Sequence, residues 1–208
     1  MSEATSREED LGHMEANLDR LFRIALESLE KVSRALKGEA PAPDLSAEVA
    51  LAEHLKDTIY SEALFFIAKW QPLGRILLYV ESIIKVSYDL FRVSRYANEI
   101  ALTLSQAPDV KLPEVVLEAS ETSREMVMKA YRAFRSKKPS EARGVEELDS
   151  RVDEAYRAYT GKITSSDLIR KEDALAALIL RQIERVADHA TYIARETIRA
   201  LGGGGIAI

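Results

Sequence analysis

From Leu73 to Ala101 the chain places apolar or small residues at steps of three and four: Leu73, Ile76, Leu77, Val80, Ile83, Ile84, Ser87, Leu90, Ser94, Ala97 and Ala101. Only an α-helix gathers positions so spaced onto one face. A stripe held for about eight turns needs equally long partners along its length, which predicts a helical bundle. No run alternates at period two with β-branched residues, so no strand is predicted.

Breaks in the pattern divide the rest. Prolines stand at 41, 43, 72, 108, 113 and 139, each beside an interruption of helical periodicity. A first helix is predicted over 6–36, opened by Ser6 and Glu9 at capping-box spacing and closed by Gly38 and the APAP segment. A second runs from Asp44 or Ser46 to Trp70, and Pro72 fits the first turn of the third. Three more are predicted over 112–135, 140–159 and 166–201, the last with Leu175, Leu178, Ile179, Val186, Ala190, Ile193 and Thr197 inward. The fold class is therefore all-α, with six long helices.

Composition removes several function classes. The formal net charge of −5 argues against a nucleic-acid binder, which needs a basic face. Without cysteine there is no disulfide, zinc-thiolate site or thiol catalysis. The acidic start lacks an apolar signal core, and no segment reaches the ~20 uninterrupted apolar residues of a membrane span. A cytoplasmic location is the resulting expectation. None of His13, His54 and His189 follows a Glu by three residues, as a ferritin-like di-iron site requires. Phosphate-binding glycine loops, Gly-x-Ser-x-Gly elbows and His-Glu-x-x-His motifs are also missing, so an enzyme is not expected.

The chain repeats itself. DLFRVSRYANEIA at 89–101 aligns with QIERVADHATYIA at 182–194, pairing Arg92 with Arg185, Val93 with Val186 and Ala97 with Ala190. Upstream, EHLKDTIY at 53–60 aligns with DSRVDEAY at 149–156, pairing Glu53 with Asp149, Asp57 with Asp153 and Tyr60 with Tyr156. Two similar offsets in the same order indicate a duplicated three-helix unit. The expected division is 1–106 for the first repeat, 107–201 for the second and 202–208 for a glycine-rich tail.

These residues carry a family resemblance. The third helix of each repeat resembles the L-E-R-I-G-D-x-A signature of the PhoU family, closely in IERVADHATYIA and distantly in LFRVSRYANEIA. Gln71-Pro72 is similar to the Gln-Pro of that family ahead of its first-repeat third helix. The chain departs from the family where Gly74-Arg75-Ile76 stands in place of an Asp-Leu-Arg triplet, and where Phe91 and Arg95 replace the first-repeat acids. The resemblance implies a PhoU-like fold of two tandem three-helix bundles in a divergent member.

Glu184 and Asp188 are four residues apart, on one helical face and ~160° from the apolar stripe. Like charges at that spacing destabilise a helix unless neutralised. A hard cation is one neutraliser, with the i,i+4 pair Asp149 and Asp153 as further oxygen ligands. Arg181, Arg185 and Arg195 on an ordinary solvated face are the other. The resemblance implies metal, iron, zinc or manganese, at Glu184 and Asp188, with the first-repeat counterpart lost. His189 reads as a packing or hydrogen-bonding residue. Phe91 is outward by repeat position, either as a lone exposed ring or beneath a terminal segment or a dimer contact. Phe65, Phe66 and Trp70 read as core or inter-bundle packing.

Functionally, the resemblance implies a regulator of phosphate transport, a helical adaptor on a phosphate transporter subunit or its sensor kinase, and a homodimer. Contact with the membrane would be peripheral, through protein partners. The alternatives are a metal-free helical interaction protein and an accessory protein of a Pit-type phosphate transporter.

Overall fold

The computed structural model describes residues 3–201; the glycine-rich tail expected over 202–208 lies outside them. The described residues form α1 (Glu3–Leu36), α2 (Ser46–Trp70), α3 (Gly74–Ser105), α4 (Glu114–Arg135), α5 (Pro139–Ala142), α6 (Val145–Thr164) and α7 (Lys171–Leu201), with no strand among them. All are long except the four-residue α5. Helices α1, α2 and α3 pack on one another, as do α4, α6 and α7, and the two groups meet through α3 against α7 and α1 against α4. No described helix is long and apolar enough to cross a membrane.

Equivalent devices end the first helix of each group. Glu39 N donates to Arg34 O at 2.9 Å and Gly38 N to Ala35 O at 3.0 Å, with Gly38 at φ +73°. This is a Schellman turn, in which a left-handed residue lets two late carbonyls find donors. After α4, Lys138 N donates to Ala133 O at 3.0 Å and Lys137 N to Phe134 O at 3.1 Å, with Lys137 at φ +55°. The second repeat thus makes the same turn without glycine.

The long stripe does become a long helix, but its first turns are not core. Leu73 is 84% exposed and Leu77 lies at the surface, whereas burial is nearly continuous from Tyr79 to Leu104. The middle of α3 is covered by α1, α2 and α7 together, so even Ser82, Ser87, Asp89 and Ser94 are enclosed. The serines Ser82 and Ser94 donate to the carbonyls of Leu78 and Leu90, four residues back, which satisfies their hydroxyls inside the helix.

Other boundaries moved for local reasons. Ser6 lies within α1, which already runs from Glu3, so it does not cap the helix. Pro72 stands in the connection, not in the first turn of α3, because Gln71 takes a left-handed conformation at φ +44° and Leu73 is extended. The fifth predicted helix is broken at Arg143–Gly144, leaving α5 before α6, and α6 runs on to Thr164. The last helix starts at Lys171, where Arg170 anchors the entry by donating to Asp173. Leu178, expected inward, is 59% exposed, and Phe65 is likewise exposed while its neighbour Phe66 is buried.

Two polar arrangements tie the repeats together. At the α1–α4 seam Arg135 donates from Nε to Asp19 Oδ1 at 2.9 Å and pairs with Glu15 at 3.1 Å. Tyr131 and Tyr79 donate to Asp19 at 2.6 Å and to Glu15 at 2.5 Å, so Asp19 joins α1 to α4 and Glu15 joins α1 to both α3 and α4. Nearby, Lys37, Ser33 and Arg124 together hold the Glu121 carboxyl down at about 2. At the α3–α7 seam, buried His189 places Nδ1 2.8 Å from Oδ1 of buried Asp89. The His189 ring also stacks on Tyr96 at 5.7 Å, its equivalent in the first repeat.

Truncating Phe134, wholly enclosed between the repeats, is expected to lower unfolding free energy by ~3–5 kcal/mol. Leu178→Ala is expected to change it by less than ~0.5 kcal/mol, as at a surface position. Urea denaturation of both variants checks the assignment of α7's inner face.

Candidate functional site

The four acids singled out in the sequence come together along the contact of α6 with α7. Glu184 and Asp188 are successive turns of α7; Asp149 and Asp153 are successive turns of α6. Neither α7 acid is on open surface, contrary to the helical-wheel expectation: their side chains are only 14% and 25% exposed. The reason is tertiary. α6 packs across the polar face of α7, and a wheel drawn on one helix cannot show a neighbour that covers its polar side.

Enclosure and crowding act on these groups. Burial pushes the Asp149 carboxyl above its ordinary value, and the charges of Asp153 and Asp188 push it further. Glu184 is raised by burial and then by Asp188, with Arg181 and Arg185 opposing and Asp153 adding a smaller push. Arg181 donates to Glu184 at 2.7 Å and Arg185 to Asp188 at 2.9 Å, while Arg157 pairs with Asp153 at 3.1 Å. Asp149 has no ion pair of this kind; the Thr191 hydroxyl beside it and the charge of Arg195 pull its carboxyl only partly back.

The donor chemistry fits a hard cation. Every candidate ligand is a carboxylate oxygen. The side chains as placed do not close a cage: among the described residues no three His, Asp or Glu groups are arranged to hold one ion. Arg181 and Arg185 occupy the oxygens of Glu184 and Asp188 instead. Both solvated-face neutralisation and the acid convergence are thus present in one place, except that Arg195 pairs with Glu146 and not with these acids.

The equivalent place in the first repeat has different chemistry. Phe91, at the position of Glu184, is buried with the Lys56 ammonium 4.8 Å from its ring centroid. Among the described residues, α2 covers it, with Lys56 over the ring. Lys56 also pairs with Asp57 at 3.1 Å, and Arg95, Glu53 and Asp57 face solvent. That side offers an apolar plug and a cation, with no enclosed acid.

Sequence reasoning missed Asp89. The available signal was a single acid between Tyr88 and Leu90 on an otherwise apolar stretch of α3. His189 does act as a buried hydrogen-bonding residue, and Asp89 is its partner. Burial pushes the Asp89 carboxyl up, and the contact with His189 pulls it partly back.

The architecture defines a class: an all-α protein of two three-helix repeats whose third helices form the central seam. Residues 116–197 match the model of the PhoU domain family. The chain is 28% identical over 182 residues to a phosphate-specific transport system accessory protein PhoU homologue of Archaeoglobus fulgidus, covering 86% of each chain. It is 26% identical over 194 residues to another, from Synechocystis, covering 90% of this chain and 84% of the relative. Its fold matches the crystal structure of PhoU from Pseudomonas aeruginosa with a TM-score of 0.84, at 22% identity and over 95% of this chain and 99% of that one. The chain is thus similar to PhoU homologues over most of its length, with the match to the PhoU domain model confined to the second repeat.

The raised carboxyls fix a sign for pH dependence. A carboxyl whose native pKa exceeds its unfolded value favours folding most when protonated, and that contribution is lost as pH rises through the native value. In chelator-treated protein, Asp149→Asn is therefore expected to raise the thermal midpoint at pH 7. The gain should shrink towards zero below about pH 4, the ordinary Asp range. Thermal denaturation of both proteins across pH reads it out, and a lower midpoint at pH 7 contradicts the assignment.

Proposed function

We propose that this chain is a regulator of phosphate transport, acting as a helical adaptor without chemistry of its own. The observation that carries this reading is the full-length relationship: relatives named as phosphate-specific transport accessory proteins align over 86–90% of the chain. Long, rigid helices with exposed side chains such as Phe65, Leu73, Leu168 and Ile169 supply surface for protein partners. The partners we propose are a phosphate transporter subunit or its sensor kinase, reached from the cytoplasm, so that any membrane contact runs through protein. Homodimerisation belongs to the same proposal.

The second part of the proposal is a metal site at Glu184, Asp188, Asp149 and Asp153. The all-oxygen donor set and the crowding of these four carboxyls on one another support it. Iron, zinc and manganese are the candidate ions. Binding there requires Arg181 and Arg185 to release their carboxylates, after which the α7 acids turn towards those of α6. The cation would neutralise four clustered charges and cross-link two helices.

Two measurements separate these parts. Expressed in a bacterium deprived of its own PhoU, the chain is expected to restore restraint of phosphate uptake at high external phosphate; unchanged uptake contradicts the regulatory reading. Elemental analysis of purified protein is expected to show near-stoichiometric metal, reduced at least tenfold in Glu184→Ala/Asp188→Ala, about 1.4 kcal/mol or more of binding free energy. Wild-type protein that neither retains nor takes up metal contradicts the metal site and leaves a metal-free adaptor.

A further inference from the structure

The central seam is left uncovered at one end. Asp89 meets His189 and Ser82 meets Arg199, so the two helices run antiparallel, α7 advancing as α3 is followed back towards its start. Arg199 donates to Ser82 Oγ at 3.4 Å and pairs with Glu81 at 3.1 Å, and α7 ends two residues later at buried Leu201. One turn before Ser82 and Glu81 on α3 stand Leu78 and Leu77, and one turn before Leu77 stands Leu73. All three are exposed. They continue the face that α7 touches, at the place where α7 has run out.

The sequence after Leu201 reads Gly-Gly-Gly-Gly-Ile-Ala-Ile, with no charged or polar side chain. Glycines permit backbone directions closed to other residues, so the chain can turn there from the axis of α7 onto α3. The five steps from Leu201 to Ile206 span up to about 17 Å, at about 3.3–3.6 Å each. From Leu78 back to Leu73 is only about 7.5 Å of helix. Ile206 and Ile208 therefore reach all three leucines without any unwinding of α7. Exposed Leu178, by contrast, lies about 35 Å from Leu201 along the same helix. Seven extended residues cover about 25 Å, which leaves it out of reach. Contact between isoleucine and leucine takes apolar area on both out of water, an attraction open to a short uncharged segment.

We propose that residues 206–208 turn back onto the start of α3 in the same chain, seating Ile206 and Ile208 on Leu73, Leu77 and Leu78. A segment tied to Leu201 meets this face at an effective concentration on the order of millimolar, well above that of a second copy in dilute solution. The chain's own tail is therefore the favoured occupant. It acts as a built-in cover: the face is offered to other proteins only in the fraction of molecules whose tail has left it. A partner that uses the bare face has its apparent affinity reduced by that fraction. This goes beyond the adaptor reading and depends neither on its partners nor on its metal.

Disulfide trapping in the full chain tests this, since the sequence has no cysteine of its own. In Leu77→Cys/Ala207→Cys, oxidation with diamide is expected to close a disulfide within one chain, at a rate independent of protein concentration. Adding Ile206→Ser/Ile208→Ser is expected to slow closure about tenfold, because only the tether then brings the thiols together. Leu178→Cys/Ala207→Cys is expected not to close within a chain. An unchanged rate with the serines means a tether without a seat and overturns the proposal. A disulfide-linked dimer whose share rises with concentration places the tail on a second copy and overturns it as well. Leu77→Cys alters the face itself, so hydrogen exchange supplies a second readout on the chain with Leu77 intact. There Ile206→Ser/Ile208→Ser is expected to speed exchange in 78–82 about threefold or more, with 145–164 unchanged. Equal exchange in 78–82 contradicts the seat. Circular dichroism checks that each variant folds.

Discussion

The antiparallel contact of α3 with α7 is the constraint on which the rest of the molecule depends. Each is the last helix of its repeat, and each buries residues around most of its circumference in the middle of its length. The contact runs through Ser82, Lys85, Asp89 and Tyr96 on α3 and His189, Glu196 and Arg199 on α7. Within that seam the Asp89–His189 pair sets alignment more than it adds net stability. Burying two polar groups costs desolvation, and only one register satisfies both. The stacking of His189 on Tyr96 places equivalent positions of the two repeats face to face, as a pseudo-two-fold relation between two antiparallel helices requires.

Around that seam the remaining helices fall into place by elimination. α1 and α4 close the cores of their own bundles and meet each other through Glu15, Asp19, Tyr79, Tyr131 and Arg135, a network in which no acid depends on a single donor. α2 then covers the outer faces of α1 and α3, and α6 those of α4 and α7. Duplication supplied both faces with similar spacing, and divergence gave them opposite chemistry. One became an apolar seat with a lysine over an aromatic ring, and the other kept its acids under partial enclosure. The difference at a single pair of equivalent positions, Phe91 and Glu184, separates a face held by burial from one whose charges need a partner.

That asymmetry also orders the functional reading. The fold similarity to PhoU from Pseudomonas aeruginosa concerns the frame, which both repeats share. The converging acids lie in the second repeat, which is also where the PhoU domain model matches.

Much of this was legible in the sequence. Apolar periodicity fixed the number and approximate span of the long helices, because burial selects every third or fourth residue along any helix that packs. The repeat was visible because the seam demands the same small and branched residues twice, at Val93 and Val186 and at Ala97 and Ala190. The acid pairs were visible as i,i+4 spacings. What the tertiary structure alone decided is which faces are covered. A wheel assigns one buried side to a helix, but α3 is covered on three sides and the polar side of α7 is roofed by α6, so Asp89, Phe91 and Glu184 are enclosed where a single-helix reading puts them in water. Leu73, Leu77 and Leu178 are left outside because no described neighbour covers the start of α3 or that flank of α7. Burial is a property of the assembled neighbours, and a residue's own sequence context carries only half of it.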